Sequence, residues 1–173
     1  MELLLTLGLM AVLLLLKGFF SGSEIAMVNA DKVKLSAMAG KGHRGSRMVL
    51  DEFRSPETLL GTTLVGTNIA TVVLTTIGTL LMIRLVGEGG EWLAFLVFTP
   101  LFLILGEVVP KSVYQHLSTE IAPRAIYPLR AFRYLFYPVV IAFSRIARVA
   151  ARVFGGGRVE QNVFMTRELI RSV

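Results

Sequence analysis

Twenty-six consecutive residues, Thr58 to Ile83, carry no ionisable side chain. A bilayer's hydrocarbon core, about 30 Å thick, is crossed by about 20 mostly apolar helical residues, so this run is long enough to span and too apolar for a surface helix. Trp92 to Pro110 is a second such window, 19 residues broken only by Glu107. A third runs from Leu3 through Phe19 and Phe20 to Val28, with Lys17 and Glu24 inside it. The expectation is an all-α membrane protein with three transmembrane helices at about 3–28, 58–83 and 92–111. The whole chain agrees: 54% of its 173 residues are hydrophobic and only 17% are charged, against about 25% charged in soluble domains. A signal peptide is the competing reading of the first window. It begins with Glu2 where a basic segment belongs, and its lysine follows the apolar run. The absence of cysteine excludes disulfides, thiol catalysis and cysteine-ligated zinc.

Charge placement sets an orientation. Lys32, Lys34, Lys41, Arg44, Arg47 and Arg54 lie between the first two spans, and Lys111, Arg124, Arg130, Arg133, Arg145, Arg148, Arg152 and Arg158 follow the third. The connector from Leu85 to Glu91 holds only acids, Glu88 and Glu91. The positive-inside rule then puts the N-terminus outside and the C-terminus in the cytoplasm of a multi-pass cell (inner or plasma) membrane protein. The net charge of +6 points to anionic lipid as a partner and away from nucleic acid. Two juxtamembrane amphipathic regions are expected, at 31–54 and 120–154. The first is split by Gly40-Lys41-Gly42-His43-Arg44-Gly45 into two short helices, with His43 a solvated loop residue. In the second, Tyr134 to Ser144 is too short an uncharged run to cross, so an interfacial helix is favoured over a short or re-entrant fourth span. Pro123, Pro128 and Pro138 are expected to break it into segments. The transmembrane domain would thus cover 1–154, and 155–173 would be a linker: Gly155-Gly156-Gly157 is a flexible break, and Thr166 an N-cap opening a further helix.

Polar groups at membrane depth cost several kcal/mol and are functional candidates by default. Three clusters qualify. Ser21-Gly22-Ser23-Glu24 places two hydroxyls and a carboxylate around a small residue. Gly66-Thr67-Asn68 places an amide in the uncharged middle span, beside a stripe of Thr63, Thr67, Thr71, Thr75 and Thr79 that reads mainly as a helix-packing or dimer face. In Gly106-Glu107-Val108-Val109-Pro110-Lys111, Pro110 has no N–H for the carbonyl of Gly106, leaving a free oxygen beside a carboxylate. The bland alternatives are ordinary small-residue packing at the serines and a proline kink with Glu107 paired to Lys111. Together the clusters make an all-oxygen donor set suited to Mg²⁺, Ca²⁺ or Na⁺ and unsuited to zinc or copper.

These three segments carry a family resemblance. Phe20-Ser21-Gly22-Ser23-Glu24-Ile25-Ala26, Leu64-Val65-Gly66-Thr67-Asn68-Ile69-Ala70 and Leu105-Gly106-Glu107-Val108-Val109-Pro110-Lys111, with Arg54-Ser55-Pro56-Glu57 ahead of the second, resemble the transmembrane domain of the CNNM/CorC magnesium transporters. The resemblance covers roughly residues 18 to 130. It implies a homodimer of three-span subunits with a belt of juxtamembrane helices on the cytoplasmic side, carrying Mg²⁺ out of the cytoplasm coupled to Na⁺ entry. It also implies a following pair of CBS domains that bind ATP, absent from this chain, with Phe164-Met165-Thr166-Arg167-Glu168-Leu169 similar to the start of the linker toward them. The metal ligands it implies are Ser21, Ser23, Asn68, Glu107 and the carbonyl of Gly106. Thr67 and Thr71 depart from the asparagines common in the family, which puts the surroundings of Asn68 in question.

Two other function classes are carried alongside. An intramembrane serine hydrolase would need Ser21 or Ser23 within reach of His116, and both histidines, His43 and His116, fall in flanking segments, so the chain is expected not to be an enzyme. A Mg²⁺-binding membrane anchor or sensor regulating another transporter would show the same residues as a carrier. Lys17 shares a helix face with Ser21 and Glu24. It is either a paired structural lysine, neutralising Glu24, or an occupant of a second cation's path.

Overall fold

The computed structural model describes residues 1–53 and 56–153. Seven α-helices follow one another among them, and no strand: α1 (Glu2–Asn29), α2 (Lys32–Gly40), α3 (Arg44–Glu52), α4 (Pro56–Val86), α5 (Gly90–Leu103), α6 (Val109–His116) and α7 (Ser118–Val153). A π-helical segment, Ile104–Val108, joins α5 to α6 without a break. Three stretches are long and apolar enough to cross a membrane, Glu2–Asn29, Leu59–Val86 and Gly90–His116. The fold is the all-α, three-span architecture expected from the charge-free windows.

The chain divides into two units, Met1–Tyr137 and Pro138–Val173. In the first, α1 is the central helix. Phe20 lies against Gly66 and Met10 against Gly78, so α4 runs antiparallel to α1. Leu14 and Lys17 lie on Gly106, Gly18 on Pro110 and Gly22 on Tyr114. These contacts advance together in steps of four, so the π segment and α6 run beside α1 in the same direction. Such close approach needs small residues on one partner, and glycine supplies them here. Leucines on the opposite faces, such as Leu4, Leu15 and Leu96, stay exposed, as lipid-facing side chains must.

Two apolar clusters hold the unit. One joins Met10, Leu74, Leu81 and Phe102 across α1, α4 and α5. The other joins Phe20, Ala26 and Met27 of α1 to Leu35 of α2, Val49 of α3, Leu59 of α4, and Ala122, Ala125, Ile126 and Leu129 of α7. The juxtamembrane helices are therefore packed onto the base of the spans. Asp31 caps α2 by accepting the N–H groups of Val33 and Lys34 at 2.9 and 3.2 Å. The entry of α7 is tied to the same corner, since the Ser118 hydroxyl donates to the Asn29 carbonyl and the Asp31 N–H to Thr119 Oγ1.

One expectation is corrected here and another is extended. The prolines do not divide α7, which is one continuous helix. Each removes a single backbone bond, while around Pro123 and Pro128 the face bearing Ala122, Ala125, Ile126 and Leu129 is held by the core, with Pro123 itself buried. His43 is exposed but not idle: its Nδ1 accepts the N–H of Ser46 at 3.3 Å and so caps α3. The remaining segment of the second unit, including the Gly155–Gly157 break and the Thr166 cap, lies outside the described residues.

Candidate cation site

The π segment is the backbone feature that organises the site. In α geometry the ring of Pro110 would collide with the carbonyl of Gly106, and its missing N–H would orphan that oxygen. The helix widens by one residue over Ile104–Val108 instead, with the Val109 N–H bonded to the Ile104 carbonyl. Where the sequence alone reads a broken helix, the chain keeps its helical course and relieves the collision by this wider turn.

Against the π segment and α6 lies the polar stretch of α1. Ser21 and Ser23 are buried, and neither hydroxyl has a hydrogen-bond partner. Tyr114 covers Gly22 between them: a Cβ on Gly22 would come within 2.7 Å of the tyrosine ring. From α4, Thr67 Oγ1 is likewise buried and unpartnered. An unsatisfied buried hydroxyl costs about 1–3 kcal/mol, and these are the only buried side-chain oxygens without partners among the described residues. Their neighbours on α4 are satisfied locally. Thr71 Oγ1 donates to the Thr67 carbonyl at 2.8 Å, and Thr75 and Thr76 bond back to carbonyls of the preceding turn.

The five ligands expected from sequence divide between two environments. Ser21 and Ser23 of α1 and Gly106 of the π segment are buried. Glu107 is half-buried and held by Lys111 Nζ at 3.1 Å, the pairing anticipated as its bland alternative. Asn68 is on the exposed face of α4. In the single chain, then, the hydroxyls and Gly106 lie inside while the carboxylate and the amide stand outside. Among the described residues no group of three or more His, Cys, Asp or Glu side chains is placed to hold a metal. Any cation here would be met by hydroxyl and carbonyl oxygens.

Two features escaped the sequence reading. Lys17 does not pair with Glu24: its ammonium donates to the Phe102 carbonyl at 3.3 Å, and its methylenes lie where a Cβ on Gly106 would be. Glu52 of α3, 3% exposed, accepts Arg130 Nε at 3.0 Å and Arg133 Nη1 at 2.9 Å from α7. The i, i+3 spacing of the two arginines was the only available signal, and it names no partner.

Comparison with known proteins bears on this arrangement. The family described as "CNNM: Cyclin M transmembrane N-terminal domain" matches residues 8–173. The chain is 29% identical over 140 residues to the UPF0053 inner membrane protein YfjD of Escherichia coli, covering 81% of this chain and 33% of that protein. A chloroplastic DUF21 domain-containing protein of Arabidopsis thaliana is 31% identical over 148 residues, covering 85% of this chain and 22% of the relative. The Polyamine export protein of Haemophilus influenzae is 23% identical over 186 residues, covering 100% of this chain and 43% of the relative. The chain thus spans less than half the length of these relatives. The three-span fold and the match over nearly the whole chain place this protein in the CNNM transmembrane-domain family.

Proposed function

We propose that this chain is the membrane part of a magnesium carrier that moves Mg²⁺ out of the cytoplasm in exchange for Na⁺, and that it is not an enzyme. The observation that carries the reading is the trio of buried, unpartnered oxygens at Ser21, Ser23 and Thr67. Hydroxyls kept at that cost inside a lipid-embedded bundle are explained by a ligand that satisfies them, and hard cations take oxygen donors. The Gly106 carbonyl is a further oxygen donor in this reading. Glu107 adds its carboxylate when it exchanges Lys111 for the ion. Ligation by Asn68 requires a change in the packing of α4, since its amide stands on the exposed face. A hydrolase reading with His116 as base is disfavoured, since the Ser21 and Ser23 hydroxyls have no hydrogen-bond partner among the described residues. The N-terminus faces outward and the C-terminus the cytoplasm of the inner membrane, two copies form the working unit, and ATP acts through a CBS region beyond this chain.

Calorimetric titration of the purified protein with Mg²⁺ tests the site. Saturable binding is expected, weakened about tenfold or more in Glu107→Ala and Asn68→Ala, the equivalent of about 1.4 kcal/mol or more. Binding unchanged in both variants would sink the ligand assignment. Ca²⁺, Na⁺ and spermidine serve as competitors. The relative named as a polyamine exporter makes a polyamine the second cargo candidate, and spermidine outcompeting Mg²⁺ would make it the first. Flux in proteoliposomes then separates a carrier from a Mg²⁺-binding anchor or sensor.

A further inference from the structure

At the end of the bundle where α1 begins and α4 stops, a groove of about 230 Å³ lies between the two helices, lined by Thr6, Leu9, Ile77, Leu80, Leu81 and Arg84. The α4 residues follow one another at helical spacing and share a face, as do Thr6 and Leu9 on α1. The lining is graded along the helices. Its four aliphatic side chains lie toward the bundle's middle, and Arg84 stands one to two turns further out, about 10 Å along α4 from Ile77. Leu9 and Leu80 are half-exposed, so the groove opens toward lipid.

Arg84 is out of keeping with the charge at this end. It is the only lysine or arginine from Pro56 to Pro110, and none precedes Lys17 on α1. The other ionisable side chains here are acids, Glu2, Glu88 and Glu91, and Arg84 forms an ion pair with none of them among the described residues. A guanidinium at the edge of hydrocarbon is costly unless an anion meets it, and its planar fork of donors suits a phosphate.

We propose that this groove holds one phospholipid with an ethanolamine headgroup. An acyl chain lies on Leu9, Ile77, Leu80 and Leu81, the phosphate takes Arg84, and the ammonium faces the acids at the end of the bundle. The order of apolar floor and cationic rim matches an amphiphile and no small soluble anion. With three acids and one arginine at this end, a zwitterionic headgroup complements the charge better than an anionic one. Leu81 also belongs to the cluster of Met10, Leu74 and Phe102, so the acyl chain extends that core. The groove lies toward the opposite end of α1 from Ser21 and Ser23, and its occupation is independent of Mg²⁺.

The purified protein in detergent is titrated with dioleoylphosphatidylethanolamine, followed by thermal unfolding and by mass spectrometry of the intact complex. One lipid per chain and a saturable stabilisation are expected for wild type. Arg84→Gln should weaken binding about tenfold or more, and Arg84→Lys less. Leu80→Trp should fill the groove and abolish binding with the charge intact; the two Arg84 variants carry the test if it does not fold. Dioleoylglycerol, which lacks the phosphate, should give no stabilisation, and dioleoylphosphatidylglycerol should bind more weakly. Unaltered binding in Arg84→Gln, an equal response to dioleoylglycerol, or tighter binding of phosphatidylglycerol would overturn the proposal. A dimer that excludes the lipid and is dissociated by Leu80→Trp would overturn it too, giving the groove to a second copy of the chain.

Discussion

Gly66→Ala adds one methyl group at a close contact between α1 and α4. The new Cβ would lie 2.7 Å from three atoms of the Phe20 ring, well inside ordinary contact distance of about 3.5–4.0 Å. Whether the ring can yield decides the cost. Phe20 is 3% exposed and wedged between Phe132, at 4.8 Å between ring centroids, and Phe136, at 6.0 Å. Moving it therefore displaces the cluster that joins the spans to α7. Overpacking of this kind costs about 1–3 kcal/mol, and the rigid surroundings put Gly66→Ala at the upper end, a fall of about 5–10 °C in midpoint. Gly22→Ala meets the Tyr114 ring at 2.7 to 2.9 Å, but that ring is only partly buried and can swing outward, so a smaller loss is expected. Gly8→Ala has nothing within 4 Å and should stabilise by the helix propensity of alanine, up to about 1 kcal/mol. Thermal unfolding of the three variants in one detergent gives the order directly. Gly66→Ala as stable as Gly8→Ala would refute the close packing of α1 on α4. Rescue of Gly66→Ala by Phe20→Leu would tie the loss to the named contact.

Ser23→Ala removes a buried hydroxyl that has no partner, so the ion-free protein should be as stable as wild type or more so, by up to about 1–3 kcal/mol, while Mg²⁺ affinity falls. Lower stability in the absence of Mg²⁺ would mean that the hydroxyl is satisfied within the fold. Glu52→Gln weakens the bonds that join α3 to α7 and leaves two arginines without their acid. Breaking a fully buried pair costs about 3–5 kcal/mol, and because both arginines are about a third exposed, roughly 1–2 kcal/mol is expected, read as faster amide exchange in α3. Exchange unchanged from wild type would show that the apolar contacts of Val49 and Leu35 alone hold the belt helices.

The spans and their number were legible in the sequence alone, because a bilayer sets the length of an apolar helix and three windows of this chain reach it. The polar clusters were legible for the same reason: in hydrocarbon each polar side chain stands out against a uniform background. The turn of α2 into α3 at Gly42, where φ is 90°, was legible as well, since glycine marks such a conformation locally. Tertiary structure decided everything that depends on which neighbour a side chain meets. Pro110 announces a lost hydrogen bond, yet whether the helix breaks or widens depends on the α1 face packed against it. Pro123 and Pro128 announce breaks in α7 that the core overrides. Lys17, Ser21 and Glu24 share a helix face, but only the packing of the helices directs Lys17 to the Phe102 carbonyl and leaves Ser21 without a partner. Asn68 and Thr67 are adjacent in sequence and point about 100° apart, so the packing of α4 on α1 buries one hydroxyl and exposes the other residue's amide. Local physics writes the elements into the chain, whereas the partners of a polar group come from residues tens of positions away, and those are chosen only when the helices pack.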